Sequence, residues 1–442
     1  MTAADVTTRL SPAYWRLWTA STVSNLGDGV FLVALPLLAS RLTRNELSIS
    51  FIGVAAALPW LLLSLPIGVV VDRIDHRLLM VRADTFRAAT VAALALAVAT
   101  HNARMWMLWA AAGCLGVAEV FFDNASQAMV PSIVPVEVLE KANGRRFAAE
   151  ITANSFVGTP IGSVLFVAAM WLPFGFDAAS FAIAAALVMT LQVAVAPHPG
   201  AHAAPRRLRV EIAEGLRWLS RHQVLRGLAL AASLSVLGMQ MTAAIFVLFA
   251  QDLLHLSDRW YGALIAIGAV GAVGGGLVAE RLTKKIGAVS VIYGAVTLWA
   301  LCMFSEGFWP RLWVSALATV AMAFGTTVWN TVTISLRQRV VPANLFGRVN
   351  SVYRWLVWGS ISIGAALGGI VAREFGLRAP FFFGAGLACV ALLTMFGSIT
   401  PRSLADLARP TPQPKPADET PSTDETPVEI EFDLWPRLDG FQ

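Results

Sequence analysis

Apolar residues fill this chain in long blocks, each closed by a short polar cluster that carries arginine, proline or glycine. The blocks run over roughly Leu17–Ser40, Ser48–Val71, Leu78–Thr100, Met105–Met129, Ala148–Trp171 and Phe174–Ala196. After a polar interval come Val224–Ala250, Tyr261–Ala279, Ala288–Glu306, Leu312–Leu336, Trp355–Ala372 and Pro380–Ile399. About 20 apolar residues suffice for a helix to cross a bilayer. The pattern therefore predicts an all-α membrane protein of twelve transmembrane helices in two pseudo-symmetric six-helix bundles, residues 1–196 and 224–400. Between them, residues 197–223 open with Pro199, Gly200 and Pro205. From Leu208 onward Ile212, Leu216 and Leu219 recur at helical spacing, with Glu211, Glu214, Arg217 and Arg221 elsewhere around the turn, which predicts an amphipathic linker helix on the cytoplasmic lipid surface. In residues 401–442 prolines alternate with acids and little apolar material intervenes, so a disordered cytoplasmic tail is expected.

The two halves repeat each other. Gly68-Val-Val-Val-Asp72-Arg73-Ile-Asp75-His-Arg77 returns as Gly276-Leu-Val-Ala-Glu280-Arg281-Leu-Thr-Lys284-Lys285, 208 residues later. Val134-Pro135 with Asn143 downstream returns as Val341-Pro342 with Asn350, at an offset of 207. Carried onward, that offset sets Gly162 opposite Gly369; Asp28 of the first span aligns near Met239 or Gln240 of the seventh. Duplication of a membrane bundle is a common way to build a transporter.

Composition supports a lipid-facing surface: 57% of the 442 residues are hydrophobic and 14% are charged, against about 25% charged in soluble proteins. The net charge of +5 does not point to nucleic acid, because of where the charge lies. With both termini in the cytoplasm, 26 of the 33 Lys and Arg fall on the cytoplasmic side, Arg82 and Arg87 being counted there although they sit inside the start of the third block. Cys114, Cys302 and Cys389 lie inside blocks without a partner at disulfide or metal-ligand spacing and read as core residues. No cleavable leader is expected ahead of the first block, and no soluble catalytic domain is left over. No GxxxxGK[ST] loop occurs, and the six histidines are scattered. Neither an enzyme, a cofactor nor a metal site is expected.

Three sets of residues could carry chemistry. At the repeated junction, Gly68 and Gly276 permit close helix approach, and the acid–arginine pairs Asp72–Arg73 and Glu280–Arg281, with Arg77, sit where lipid gives way to water. Such contacts can hold one conformation and break in another. The junction resembles the signature between the second and third spans of the major facilitator superfamily, with Asp75 standing where that family has a second glycine. Ser24-Asn25-Leu-Gly27-Asp28-Gly29, Phe121-Phe-Asp123-Asn124-Ala-Ser-Gln127 and Ala142-Asn143-Gly144-Arg145 are similar to the branch of macrolide-efflux and enterobactin-exporter-type drug:proton antiporters. The resemblance covers about residues 15–400. It implies an alternating-access carrier with a cavity lined by the first, fourth, seventh and tenth spans. Gly158-Thr-Pro160-Ile-Gly162-Ser163 resembles the fifth-span antiporter motif, with a shifted proline and a serine for its last glycine.

The second set is acidic. An ionisable group at mid-bilayer costs at least about 2.5 kcal/mol. Asp28 lies twelve residues past Arg16, or about 18 Å at about 1.5 Å per residue. Glu119 is equally deep in the fourth block, and both are expected to carry proton coupling. Asp123, one turn away from Glu119, is assigned to gating because the family pairs an acid there with the Gly–Asp–Arg loop. Glu150 is expected too near the cytoplasmic end to reach the cavity, and only the first half is expected to hold deep acids. The third set would line the cavity: Asn25 from the first span, Gln240 and Met241 from the seventh, and Trp329 and Asn330 from the tenth. Neutral polar groups, an aromatic and methionine suit an amphiphilic substrate.

The expected function is a proton-coupled exporter of small amphiphilic compounds of drug, macrolide or siderophore type. It would be monomeric, in the bacterial plasma membrane, with both termini cytoplasmic; its partners would be substrate, protons and lipid, and no nucleic acid. Two alternatives stand beside it: a lipid or lysolipid flippase, and a non-transporting sensor that signals through its C-terminal tail.

Overall fold

The computed structural model describes residues 10–63, 67, 71, 74–191 and 208–400, and all statements below concern these residues. Helix α1 (Pro12–Leu42) is started by Ser11, whose hydroxyl accepts from the Tyr14 N–H at 3.1 Å, and by Pro12 in the first turn. Then come α2 (Glu46–Leu63), α3 (His76–Ala99) and α4 (Met105–Ile133). Asp75 caps α3 by accepting from the Leu78 N–H at 3.1 Å, so the acid in place of the family glycine starts a helix. Next, α5 (Leu139–Ile151) continues through a π-helical stretch, Thr152–Gly158, into α6 (Thr159–Ala168). Pro160 accounts for the wide turn, because it has no N–H to offer the carbonyl of Phe156. Helix α7 (Leu172–Met189) closes the first half.

The linker helix α8 (Leu208–Arg221) precedes α9 (Gln223–Ala243), α10 (Phe246–Asp252), α11 (Asp258–Ala266) and α12 (Gly268–Phe308). The last three are α13 (Leu312–Val340), α14 (Ala343–Phe375) and α15 (Ala379–Met395). In α12 the chain turns back at Gly287 (φ 82°, ψ 152°), a conformation that L side chains rarely adopt. Gly271 and Trp299 therefore both reach the middle of α13: Gly271 lies against Val320 backbone, and the Trp299 indole donates to the Met322 carbonyl at 3.3 Å. Counting α9–α10 as one crossing, α5–α6 as one and the stretch from Asp258 to Phe308 as two, the architecture is the twelve-helix membrane bundle expected. Helix α3, 24 residues long, is counted as a crossing although Arg82, Asp84 and Arg87 lie within it.

The duplication is visible in the packing. Gly158 and Gly162 press on Leu26 and Val30 of α1, where a Cβ would come within 2.8 and 2.6 Å of their carbonyl oxygens. Gly364 and Gly368 press in the same way on Leu237 and Met241 of α9, at 2.5 and 2.3 Å. Glycine on one helix against backbone of another is how membrane helices approach closely. The pairing sets Asp28 opposite Met239, and Gly162 opposite Gly368 rather than Gly369. Gly369 instead faces α2, where a Cβ would lie 1.9 Å from the Ser50 hydroxyl.

Two seams join the halves. Along the first, α2 meets α14: Trp60 and Trp358 rings lie 4.2 Å apart, and the Trp355 indole donates to the Leu61 carbonyl at 2.9 Å. Along the second, α6 meets α11, where the Gly262 N–H donates to the Ser163 hydroxyl at 2.9 Å. We call the end of the bundle that holds residues 43–45 distal, and the end that holds residue 10 proximal. The distal end is closed by charge across the halves. Arg41 pairs with Asp258, Arg44 with Asp252 at 3.1 Å and with the Gln251 side chain at 2.6 Å, and Gln251 donates to Asp258 at 3.0 Å. Beneath this latch Leu248 packs into one cluster with Val33 and Leu37 of α1. At the proximal end α8 seats on α14, with Glu214 and Arg348 in an ion pair at 2.6 Å and Gly215 against the Arg348 carbonyl. The linker helix is thus docked on protein as well as amphipathic.

The exposed Arg44–Asp252 pair contributes about 0–1 kcal/mol, and the buried Asp258 keeps the Gln251 amide when Arg41 is removed, so losing both arginines should shift a conformational balance at least severalfold without unfolding the chain. In a cysteine-free background carrying Leu248→Cys, the Arg41→Ala/Arg44→Ala variant is expected to label with an impermeant maleimide severalfold faster than its parent. Equal labelling rates would contradict the latch.

Candidate functional site

A cavity of about 440 Å³ opens between the halves under the distal latch. Its apolar wall comes from α1, α2 and α4, with Phe31, Leu35, Ile52 and Leu115 among the lining side chains. Its polar groups are Asp28, Glu119 and Glu150, and the amides of Asn25, Asn154 and Gln240. No basic side chain is among these lining residues. The fold thus brings Asn25, Asp28, Glu119 and Gln240 to one cavity.

Several expectations need correcting. Glu150 lines the cavity, because its helix begins at Leu139 and eleven residues already climb about 16 Å. Met241 is buried, 2% exposed, beneath Gly368 and away from the lining. Trp329 is 5% exposed in the core of the second half, 5.5 Å from Trp299, and its indole donates to Tyr353. Asn330 is exposed and does not line the cavity. The tenth span, α13, contributes nothing to the wall; α2 and α14 do so instead, because they meet along the first seam. Glu306, in the second half, is also a buried acid.

The gating residues divide. Gly68, Asp72 and Arg73 lie outside the described residues. Arg77 donates to the Met189 carbonyl, closing the end of α7. Gly276 faces only Thr327, at 3.9 Å, and the exposed Glu280 pairs with Lys284 of its own helix at 2.6 Å. Arg281 is exposed. Asp123 sits in the field of Arg87, Arg146 and Arg354, the last of these from the other half.

The centre of the site is a residue that the charge count had placed on the cytoplasmic side, at the start of the third block. Arg87 is 4% exposed inside α3, with its guanidinium 4.9 Å from the Phe122 ring and 5.2 Å from Phe181. Asp84, one turn away, lies 3.5 Å from it, and Asp28, Glu119 and Asp123 are within its electrostatic reach. Asp177 of α7 also senses Arg87 and Asp28. Guanidinium suits this place: it stays charged, is weakly hydrated and stacks on aromatic faces. Glu119 further accepts from the Trp60 indole. The warning signs in the sequence were an arginine eleven residues past the start of α3 and an acid in the middle of the apolar run Leu172–Met189.

Asp177 can stand behind α1 only because residue 27 is glycine. A Cβ there would lie 2.0 Å from the Ser180 hydroxyl and 2.3 Å from Asp177 Oδ1. Helix α1 thus carries an acid facing the cavity at Asp28 and leaves room for one behind it at Gly27.

A lipid-facing helical bundle that encloses an acidic cavity between two repeated halves is the architecture of a multi-pass membrane transporter, not of an enzyme. The chain belongs to the major facilitator family described as transmembrane secretion effector, which matches residues 9–435. It is 28% identical over 392 residues to the multidrug efflux pump Tap of Mycobacterium tuberculosis, covering 84% of this chain and 89% of that protein. It is 21% identical over 385 residues to macrolide efflux protein A of Streptococcus pyogenes, covering 86% and 94%. Among solved structures it is similar to the nucleoside transporter NupG, with TM-score 0.71, 12% identity and coverage of 88% and 99%. It is also similar to an inward-facing, unoccupied bacterial homologue of the lysosomal transporter Spinster, with TM-score 0.69, 15% identity and coverage of 91% and 98%.

Overpacking a tight contact costs about 1–3 kcal/mol. Gly27→Leu should lower the melting temperature of the purified protein by several degrees, whereas Gly144→Leu, which meets nothing within 4 Å, should leave it near wild type. Equal melting temperatures would remove the argument for close packing of α1 on α7.

Proposed function

We propose that this transporter is a proton-coupled exporter of small amphiphilic compounds in the bacterial cell membrane, working as a monomer by alternating access. The observation that carries the reading is that Asp28 and Glu119 stand on the cavity wall while both lie in the field of the buried Arg87. The kinship with proteins named as multidrug and macrolide efflux pumps favours export.

The proximal end is assigned to the cytoplasm, where 26 of the 33 Lys and Arg fall. The closed distal latch then makes the described state inward-facing. Residues 1–196 and 224–400 act as the moving bodies, 197–223 tethers them, and 401–442 forms a cytoplasmic tail. At the cytoplasmic mouth Gly68, Asp72, Arg73 and Asp123 from one half, and Gly276, Glu280 and Arg281 from the other, contribute to closing. Gly158, Pro160 and Gly162 let the fifth span bend and slide against α1 as the halves rock.

In the cavity, the carboxyl groups of Asp28 and Glu119 can each be neutralised by a proton or by a nearby positive charge. Arg87 offers one such charge from behind. A substrate bearing a cation or hydrogen-bond donors offers another from the cavity side, against the apolar wall of Phe31, Leu35 and Ile52. Binding from the cytoplasm therefore expels a proton inward. Protons arriving from outside displace the substrate outward, since both compete for the same carboxylates.

The test is export driven by an imposed pH gradient in proteoliposomes, across a panel of fluorescent amphiphiles. Asp28→Asn and Glu119→Gln should each reduce gradient-driven transport at least tenfold while downhill exchange persists. Undiminished antiport in both single variants would overturn the assignment.

A further inference from the structure

At the proximal end a groove of about 280 Å³ lies between α8 and the start of α14, lined by Glu214, Arg217, Trp218, Arg221, His222 and Leu345. Helix α8 turns Gly215 and Leu219 to the protein, which leaves Arg217 and Arg221, one turn apart, exposed along the groove. Glu214 is the one acid in this lining, and it is taken by Arg348 at 2.6 Å. Among the described residues neither Arg217 nor Arg221 has an ion-pair partner. The groove also offers ring surface: Trp218 and His222 stack with centroids 5.1 Å apart, and His222 is held by accepting from the Leu225 N–H at 3.4 Å.

The described chain ends beside this groove. The side chain of Gln223, the residue after His222, donates to the Gly397 carbonyl at 3.1 Å, and a Cβ on Gly227 would lie 3.0 Å from that of Ser398. Ile399 shares one apolar cluster with Leu219 and Val224. Residues 401–442 therefore set out from next to the exposed arginines, and their sequence complements them. From Asp418 to Trp435 there are seven acids and no Lys or Arg. Within that stretch Glu429-Ile-Glu431-Phe-Asp433-Leu-Trp435 alternates acids with large apolar residues.

We propose that the segment Glu429–Trp435 of this chain docks in the α8 groove, with its carboxylates on Arg217 and Arg221 and its apolar side chains on Trp218 and Leu345. Alternate side chains of an extended segment stand about 7 Å apart on one side, and residues one turn apart on a helix are about 5–6 Å apart. Glu429 and Glu431 can therefore each meet one guanidinium in a charge-assisted hydrogen bond. The 28 residues between Thr400 and Glu429 can span on the order of 90 Å, and the entropy of closing such a loop grows slowly with its length. Tethering also sets an effective concentration on the order of mM, so a contact too weak to hold a free peptide suffices. Docked there, the tail ties the linker helix to the second half, because α14 and the origin of the tail both belong to that half. The contact does not rest on the proton-coupled reading above.

The test is a distance measurement by double electron–electron resonance on the full chain. Cys114, Cys302 and Cys389 are replaced, and spin labels are placed at Ser220→Cys and Thr426→Cys. A narrow distance peak is expected in this parent, and Arg217→Glu/Arg221→Glu should lose it. Both arginines are exposed, so the reversal should leave the melting temperature near that of the parent. Adding Glu429→Lys/Glu431→Lys/Asp433→Lys to the reversed groove should restore the narrow peak. An equally broad distribution in parent and variant, a narrow peak indifferent to the groove charge, or a swap that restores nothing would overturn the docking. So would a peak present in detergent and lost in phosphatidylglycerol nanodiscs, which would give the groove to a lipid headgroup instead.

Discussion

A guanidinium that cannot lose its charge, buried in the lipid-spanning part of the bundle, is the constraint around which the first half is arranged. Arg87 must be met by negative charge or by aromatic faces, and it is met by both. To bring Asp177 to the site, α7 has to touch α1, which requires glycine at position 27. Helix α1 then has to be held in place, and Gly158 and Gly162 hold it from the other side. The π-helical stretch Thr152–Gly158 lies in this same packing, and Glu150 and Asn154 reach the cavity from it and the turn before it. Close helix packing and acid placement are thus one problem with one solution.

The two halves share the scaffold and differ in its charge. Glycine pairs press the fifth span on the first and the eleventh on the seventh in the same manner. Yet Met239 stands where the first half has Asp28. The buried arginine of the second half, Arg337, is met by the Asn350 side chain at 2.9 Å and by the Tyr353 ring at 4.0 Å, both neutral. Glu306 lies at the distal end of α12, well away from the cavity wall. The second half therefore sets a mostly neutral face against an acidic one, a difference that duplication permits.

Much of this was legible before any coordinates. The crossings follow from apolar length, and many helix ends fall within a few residues of the pattern; α5 and α14 extend into polar turns, and α7 stops at Met189, seven residues before the expected Ala196. Asp28, Glu119, Asn25 and Gln240 were legible because a polar residue deep in an apolar run has few reasons to be there. Met241 and Trp329 were misplaced for a physical reason: lipid-facing and bundle-facing sides of a span are both apolar, so periodicity does not say which way a large apolar side chain points. Arg87 was hidden by its neighbourhood, since basic residues near the start of a span ordinarily belong to the positive-inside set. Asp177 carries no motif at all. Its meaning arises from contact with Gly27, 150 residues earlier, and no local pattern encodes a contact of that range.

The central claim is that substrate and proton exchange on carboxylates served by one buried cation. It is tested most directly by following lumenal pH and substrate together in the same wild-type proteoliposomes. The account predicts that adding substrate to one side drives protons toward that side, and that a protonophore abolishes uphill movement at once. Uphill transport that persists with the pH gradient collapsed, or substrate flux with no counterflow of protons, would contradict it.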